Sequence, residues 1–198
     1  ALLSGAFAGF EGDLKGTYYK LGALTDEQKD FLRGNGFLFQ KPKTTNLLTN
    51  AGAARSWPDG RGIFHNDSRT VLCWVNEEDH CRIISMSTDG DVKGVFARFC
   101  RLSNALRAVA TSQGTKFMMS KKLGFLGTCP SNLGTGLRAS VMIKLPHLNR
   151  DVARLERVCA EHDLQPRGSA GEHSAAVGGR WDISNKQRIG FTEVELVQ

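Results

Sequence analysis

The run Trp74-Val75-Asn76-Glu77-Glu78-Asp79-His80-Cys81-Arg82 places three adjacent carboxylates between two apolar stretches. Neighbouring carboxylates repel one another, so a solvated turn is the ordinary fate of such a run. Trp74 before it and Arg82-Ile83-Ile84 after it ask for more than a turn. Carboxylates at the end of a buried strand, with a cation nearby, suit a cationic group. A planar guanidinium offers its donors as a fork, two of which one carboxylate accepts at once. A second group is Thr128-Cys129-Pro130-Ser131-Asn132-Leu133-Gly134-Thr135-Gly136-Leu137-Arg138. Pro130, Gly134 and Gly136 shape a tight loop, and a donor or positive charge near Cys129 would favour its thiolate. A buried structural cysteine is the commoner fate of a lone thiol. No His/Asn arrangement suggests a cysteine hydrolase, so no covalent nucleophile is expected. A third group, Arg167-Gly168-Ser169-Ala170-Gly171-Glu172-His173-Ser174, brackets small residues with glycine and sets charges of opposite sign at Arg167 and Glu172. It reads as a mobile lid or as a plain surface hairpin.

The elements around these groups follow from periodicity. Residues 1–24, with Gly5, Gly9, Gly12 and Gly16 closely spaced, read as irregular. Thr25-Asp26-Glu27-Gln28 is a capping-box start for a helix that ends near Gly34-Asn35-Gly36. Residues 46–55 suggest another short helix. Val71–Asn76 and Arg82–Met86 are β-rich runs. Val92, Val95, Phe96, Phe99, Leu102, Leu106 and Val109 recur at spacings of three and four, which predicts an amphipathic helix. Leu123–Gly127 and Leu137–Leu145 read as strands. Val152, Leu155 and Val158 mark a second amphipathic helix, and a Gly-rich loop from Gly168 to Gly179 leads to a strand at Arg180–Ser184. Thr192-Glu193 opens a further helix. Strands in neighbouring pairs with helices between them predict an α+β fold with a largely antiparallel β-sheet flanked by helices. There is no GxxxxGK[ST] loop and no GxGxxG opening a helix, so a P-loop or Rossmann nucleotide site is unsupported.

Composition narrows the classes. An apolar share of 40% over 198 residues suffices for a real core, and no apolar run approaches the roughly 20 residues of a membrane span. Five cysteines at irregular spacings, with no CxxC pair, argue against a zinc or thioredoxin-type site and for reduced thiols in the cytoplasm. The net charge of +6 is spread over single Lys and Arg residues without aromatic interleaving. This scatter suits a nucleotide phosphate site better than a nucleic-acid stripe or a membrane surface.

The words NEEDHCR, CPSNLGTGLR and RGSAGEHS in this order closely resemble the phosphagen (ATP:guanidino) kinases, the creatine, arginine, taurocyamine, lombricine and glycocyamine kinases. DLKGTYY at 13–19, WPDGRGIFHND at 57–67 and WDISNKQRIGFTEVELVQ at 181–198 extend the resemblance over nearly the whole chain. It implies the glutamine-synthetase-like catalytic domain of that family and transfer of the γ-phosphoryl of ATP, as its Mg complex, to a guanidino compound. Arg82, Arg138 and Arg167 match the family's phosphate-binding arginines. Ala139, Ser140, Val141 and Met142, the loop residues Gly168, Ser169, Ala170, Gly171 and Glu172, and Asp182 fall in its nucleotide-binding segments. His65 matches an adenosine-contacting histidine. Glu78 matches the carboxylate that holds the guanidinium, and Cys129 a thiolate that contacts it without covalent attack.

Glu172 matches a second substrate-contacting glutamate of the arginine kinases, where creatine kinases have an aliphatic residue against the creatine N-methyl. A glutamate beside an N-methyl would be desolvated without a partner. Arginine is therefore the first expectation, with taurocyamine or lombricine close behind and creatine, to whose kinases CPSNLGTGLR is closer, as the alternative. Met142 departs from the family, which usually has a second adenosine-contacting histidine there. The family's N-terminal helical domain, its upstream SxRxR segment and its final helix have no counterpart in residues 1–198, so this stretch reads as a partial catalytic domain, inactive or very weak alone. The implied partners are the guanidino substrate and ATP, with no nucleic acid, no membrane and a homodimer as an option. The mitochondrion is the alternative compartment. Rival readings are a non-catalytic nucleotide-binding copy and a protein-arginine kinase of the same fold.

Overall fold

Every residue of the strand Gly62–Asn66 is buried, which requires a sheet covered on both faces. The computed structural model describes residues 2–42, 47–50, 52–168 and 176–198. They divide into two compact units, Ala1–Phe117 with Gly127–Cys129, and Met118–Leu126 with Pro130–Gln198.

In the first unit, β1 (Gly16–Lys20), β2 (Gly62–Asn66), β3 (Val71–Val75) and β4 (Cys81–Ser85) form an antiparallel sheet in that order. Because side chains alternate along a strand, Phe64 and Cys73 share one face, and Ile63 and Leu72 the other. The first face packs on α1 (Leu2–Ala8) and α4 (Val92–Ser112), through Ala6, Phe7, Leu102 and Leu106. Phe7 stacks on Phe64 with ring centroids 4.3 Å apart. The second face packs on Leu32 of α2 (Asp26–Gly34) and on Phe37 and Phe39 behind it. The predicted capping box of α2 is present: Thr25 accepts from the Gln28 amide at 3.2 Å and Gln28 accepts from the Thr25 amide at 3.0 Å. Asp91 caps α4, accepting from the Gly94 amide at 2.9 Å. A one-turn helix, α3 (Leu47–Asn50), precedes a series of turns that ends at β2.

In the second unit, β5 (Met119–Ser120) and β6 (Gly124–Phe125) make a short antiparallel pair. β7 (Ser140–Lys144), β8 (Leu164–Gly168) and β9 (Arg180–Asn185) form an antiparallel sheet with β9 in the centre. Leu155 and Cys159 of α5 (Val152–Glu161) pack with Trp181 of β9 as its core.

The α+β expectation holds, and every strand pairing among the described residues' named strands is antiparallel. The irregular reading of residues 1–24 does not: α1 and β1 lie there. Gly16 looks like a strand breaker, yet a Cβ at this position would sit 2.1 Å from the His65 carbonyl oxygen. Close approach of two backbones, not turn formation, is what calls for glycine there. The strand expected at Leu123–Gly127 shrinks to Gly124–Phe125. β8 was not foreseen because it carries Pro166; as an edge strand it tolerates a residue that cannot donate. The helix expected at 46–55 is seen at Leu47–Asn50, with part of that range outside the described residues. At the chain's end Thr192 and Glu195 form a reciprocal cap, with 2.6 Å and 3.3 Å amide bonds, around a set of turns in place of an assigned helix.

Candidate functional site

The first unit holds the acidic group on a hairpin. β3 and β4 pair Trp74 directly with Arg82 and Val75 with Cys81, so Asn76–His80 becomes the connecting loop. Asn76 takes a positive φ of 54° and is held there by donating to the Gly60 carbonyl at 2.8 Å and meeting His80 Nδ1 at 3.0 Å. Asparagine tolerates that conformation better than most residues. Arg82 Nη2 donates to Glu78 Oε2 at 2.8 Å. Its Nη1 lies 3.5 Å from Glu77 Oε2, a buried atom with no hydrogen bond. The guanidinium also sits over the Trp74 ring at 5.5 Å from the centroid, and Trp74 is fixed by its Nε1 donating to the Phe37 carbonyl at 2.9 Å. Burial pushes the Glu78 carboxyl above the ordinary glutamate range; Glu77 and Asp79 push the same way, and Arg82 opposes them.

Asp79 has a role that the sequence reading did not foresee. Its Oδ1 accepts from the Thr128 amide at 2.5 Å. Gly127 lies against the same carboxylate, where a Cβ would come within 2.6 Å of it. The residue beside Glu78 thus anchors the backbone just ahead of Cys129. A glycine preceding a threonine was the available signal, but nothing in sequence pairs positions 49 residues apart. Cys129 itself is partly buried and forms no disulfide.

His65 lies in β2, 6% exposed, among Tyr19, Phe31 and Phe37, whose ring centroids are 5.5 to 5.6 Å away. Its Nδ1 meets the Asn66 carbonyl at 2.9 Å. A carbonyl only accepts, so Nδ1 carries the proton. Nε2 is then an acceptor in the neutral ring, buried and without a partner among the described residues.

The second unit gathers the other basic candidates on one sheet. Asp182 of β9 stands between Met142 of β7 and Arg167 of β8 in register. Arg138, just ahead of β7, donates to Asp182 Oδ2 at 2.6 Å and to Ser184 Oγ at 3.2 Å. Asp182 Oδ1 is buried without a hydrogen bond. With its amide oxygen turned to Arg167, Gln165 accepts from Nε at 2.6 Å. Buried Asn185 binds the segment around Arg138: it accepts from the Ala139 amide at 2.8 Å and donates to the Leu137 carbonyl at 3.1 Å and the Gln187 carbonyl at 2.8 Å. Sequence reading passed over Asn185, because a lone Asn near a strand end looks like a turn residue. The Gly134 amide donates to the Leu123 carbonyl at 2.7 Å, and its φ of 94° and a 2.1 Å Cβ approach to the Arg188 carbonyl both demand glycine.

Ser140, Val141 and Met142 lie exposed on β7, and Ala139 is half-buried before it. Arg167 and Gly168 close strand β8 and so are not part of a loop. Ser169, Ala170, Gly171 and Glu172 lie outside the described residues. Glu78, Arg82, Cys129 and His65 are thus in the first unit, and Arg138, Arg167 and Asp182 in the second.

Residues 1–198 match the family model described as ATP:guanido phosphotransferase, C-terminal catalytic domain. A relative named creatine kinase, testis isozyme, of Oncorhynchus mykiss is 51% identical over 98% of this chain and 50% of its own length. A solved lombricine kinase is 48% identical with a TM-score of 0.94, covering 100% of this chain and 54% of its own. The duplicated taurocyamine kinase of Schistosoma mansoni, solved with bound transition state analog components, is 44% identical with a TM-score of 0.86 over 98% of this chain and 26% of its own. The chain spans about half the length of the curated relative it matches. An acidic hairpin that holds a guanidinium, on a backbone this close to the solved lombricine kinase, places the chain in the ATP:guanido phosphotransferase family.

Proposed function

We propose that the protein to which this chain belongs transfers the γ-phosphoryl of Mg-ATP reversibly to a guanidino nitrogen, giving a phosphagen and ADP. The observation that carries this reading is the Arg82–Glu78 pair at 2.8 Å. A carboxylate that already holds one guanidinium has the shape and charge to hold another. In the reaction the guanidino nitrogen attacks the γ-phosphorus, the bond to the ADP oxygen breaks, and one N–H proton passes to solvent water. Glu78 holds and orients the guanidinium, and Cys129, as thiolate, contacts it without forming a bond. Arg82, Arg138 and Arg167 neutralise phosphate charge, and Asp182 holds Arg138 until the nucleotide arrives. Phosphate drawing Arg82 away would release Glu78 to the substrate, which couples the two binding events. His65 Nε2 is an acceptor suited to a nucleobase amino group. Residues 139–142 and 168–172 complete the nucleotide site, and Mg2+ enters bound to the phosphates, whose charge it spreads. Because phosphoryl transfer is mostly positioning and charge neutralisation, these fixed groups suffice without a covalent intermediate.

For the substrate, Glu172 favours a guanidino compound without an N-methyl group: arginine first, then taurocyamine or lombricine. Creatine is the second reading, favoured by the identity to a relative named creatine kinase. The compartment proposed is the cytoplasm. A coupled ATP assay of the full-length protein across arginine, creatine, taurocyamine, lombricine and glycocyamine tests both levels. Turnover with any of the five supports the class and selects the substrate. Nucleotide binding without turnover on any of the five would leave a non-catalytic copy instead.

A further inference from the structure

Cys73 and Cys81 are not used by the proposed reaction, yet they face each other. Cys73 is fully buried in the middle of β3, and Cys81 is a partly buried residue that opens β4. Cys73 pairs with Ile83 and Cys81 with Val75, so the two cysteines are diagonal neighbours. Diagonal positions two residues apart project to the same face, and both side chains join the cluster packed on α1 and α4. Their sulfurs are 3.3 Å apart. A disulfide needs about 2.05 Å, so about 1.2 Å remains to be closed.

We propose that Cys73 and Cys81 are a modification site that hydrogen peroxide oxidises to an intramolecular disulfide across the base of the acidic hairpin. The better exposed Cys81 meets the oxidant. Its thiolate attacks one peroxide oxygen, the O–O bond breaks, and hydroxide leaves, giving a Cys81 sulfenic acid. The Cys73 sulfur then attacks the Cys81 sulfur, the S–O bond breaks, and the departing hydroxide takes the Cys73 proton. In sum, two thiols lose two electrons and two protons, and one peroxide becomes two waters. The hydrogen bond to the Cys81 sulfur, together with burial, pushes the Cys73 thiol well above its ordinary value, so Cys73 keeps its proton until it attacks and hands it to the departing hydroxide. The bridge would close a ring that contains Glu77, Glu78 and Asp79. An effect on phosphoryl transfer rests on the role proposed for Glu78, whereas the disulfide does not.

Cleavage after Arg69 and Arg82 releases one peptide, Thr70–Arg82, that contains both cysteines and no other. The full chain is reduced, treated with hydrogen peroxide, alkylated with iodoacetamide, digested with trypsin without reductant and weighed. The expected peptide is lighter by two hydrogens and carries no label; prior dithiothreitol restores two labels. In Cys81→Ser the peptide is expected to carry one label at Cys73 after the same treatment. Full double labelling of the oxidised wild type, a sulfinic acid on Cys81 beside a labelled Cys73, or crosslinking of either residue to Cys100, Cys129 or Cys159 would each overturn the proposal. The mass readout uses no turnover, so it stands apart from the phosphotransfer reading.

Discussion

Glu78 answers to two opposed demands. Burial favours its protonated form, while holding a guanidinium needs the carboxylate. Its folded pKa lies above the ordinary value, so the native state holds the proton more tightly than the unfolded chain. The sign follows: protonated Glu78 is stability-neutral at low pH, and its ionisation costs stability as pH rises from the ordinary glutamate range through the raised value. At pH 7, Glu78→Gln is therefore expected to melt no lower than the wild type, while phosphoryl transfer by the full-length protein falls about 10² to 10³-fold. Thermal melts and the coupled assay check the two halves. A melting temperature several degrees lower would mean that the Arg82 pair outweighs burial. The acid limb of the wild-type rate profile is expected above the ordinary glutamate range for the same reason. At this scale, sequence singled out Glu78 and Arg82 as adjacent chemistry, because four residues across a short hairpin are bound to meet. It was silent on the partners of Asp79 and Asn185, which lie far along the chain.

Strand β9 organises the second unit. It presents Asp182 and Ser184 to Arg138 and ends in Asn185, which satisfies the backbone on either side of that arginine. Removing such a side chain leaves an amide and two carbonyls without partners, at about 1–3 kcal/mol. Asn185→Ala is expected to lose that much stability in urea unfolding and to weaken ATP affinity through a misplaced Arg138, although residue 185 itself touches no phosphate in this reading. Loss of stability with unchanged nucleotide affinity would reduce Asn185 to a purely structural residue. Elements with a strong period or cap, such as α2, α4 and α5, were legible in sequence, since a 3.6-residue apolar stripe and a capping box are local signals. β1, β2 and β8 were not. Their glycine, histidine, asparagine and proline residues read as breakers, and only pairing with a neighbouring strand makes them strands.

The two units differ in how much apolar surface they bury. The first stacks two clusters on opposite faces of one sheet, with β2 and most of β3 inaccessible. The second relies on Leu155, Cys159 and Trp181, and β7 is exposed along its whole length. Since local opening is cheapest where few apolar groups are buried, amides of β2 and β3 are expected to exchange on the order of 10-fold or more slower than those of β7. Hydrogen exchange read by mass spectrometry checks this; equal protection in both sheets would contradict it. By itself, the sequence determined the family, the α+β class and the candidate residues for phosphate and guanidinium, because these are carried by contiguous words and short periods. The tertiary structure alone decided that Asp79 anchors the segment before Cys129, that Asn185 and Asp182 brace Arg138, and that two cysteine sulfurs touch across a hairpin. Those pairings depend on strand register and on chain crossings tens of residues apart, which no local pattern encodes.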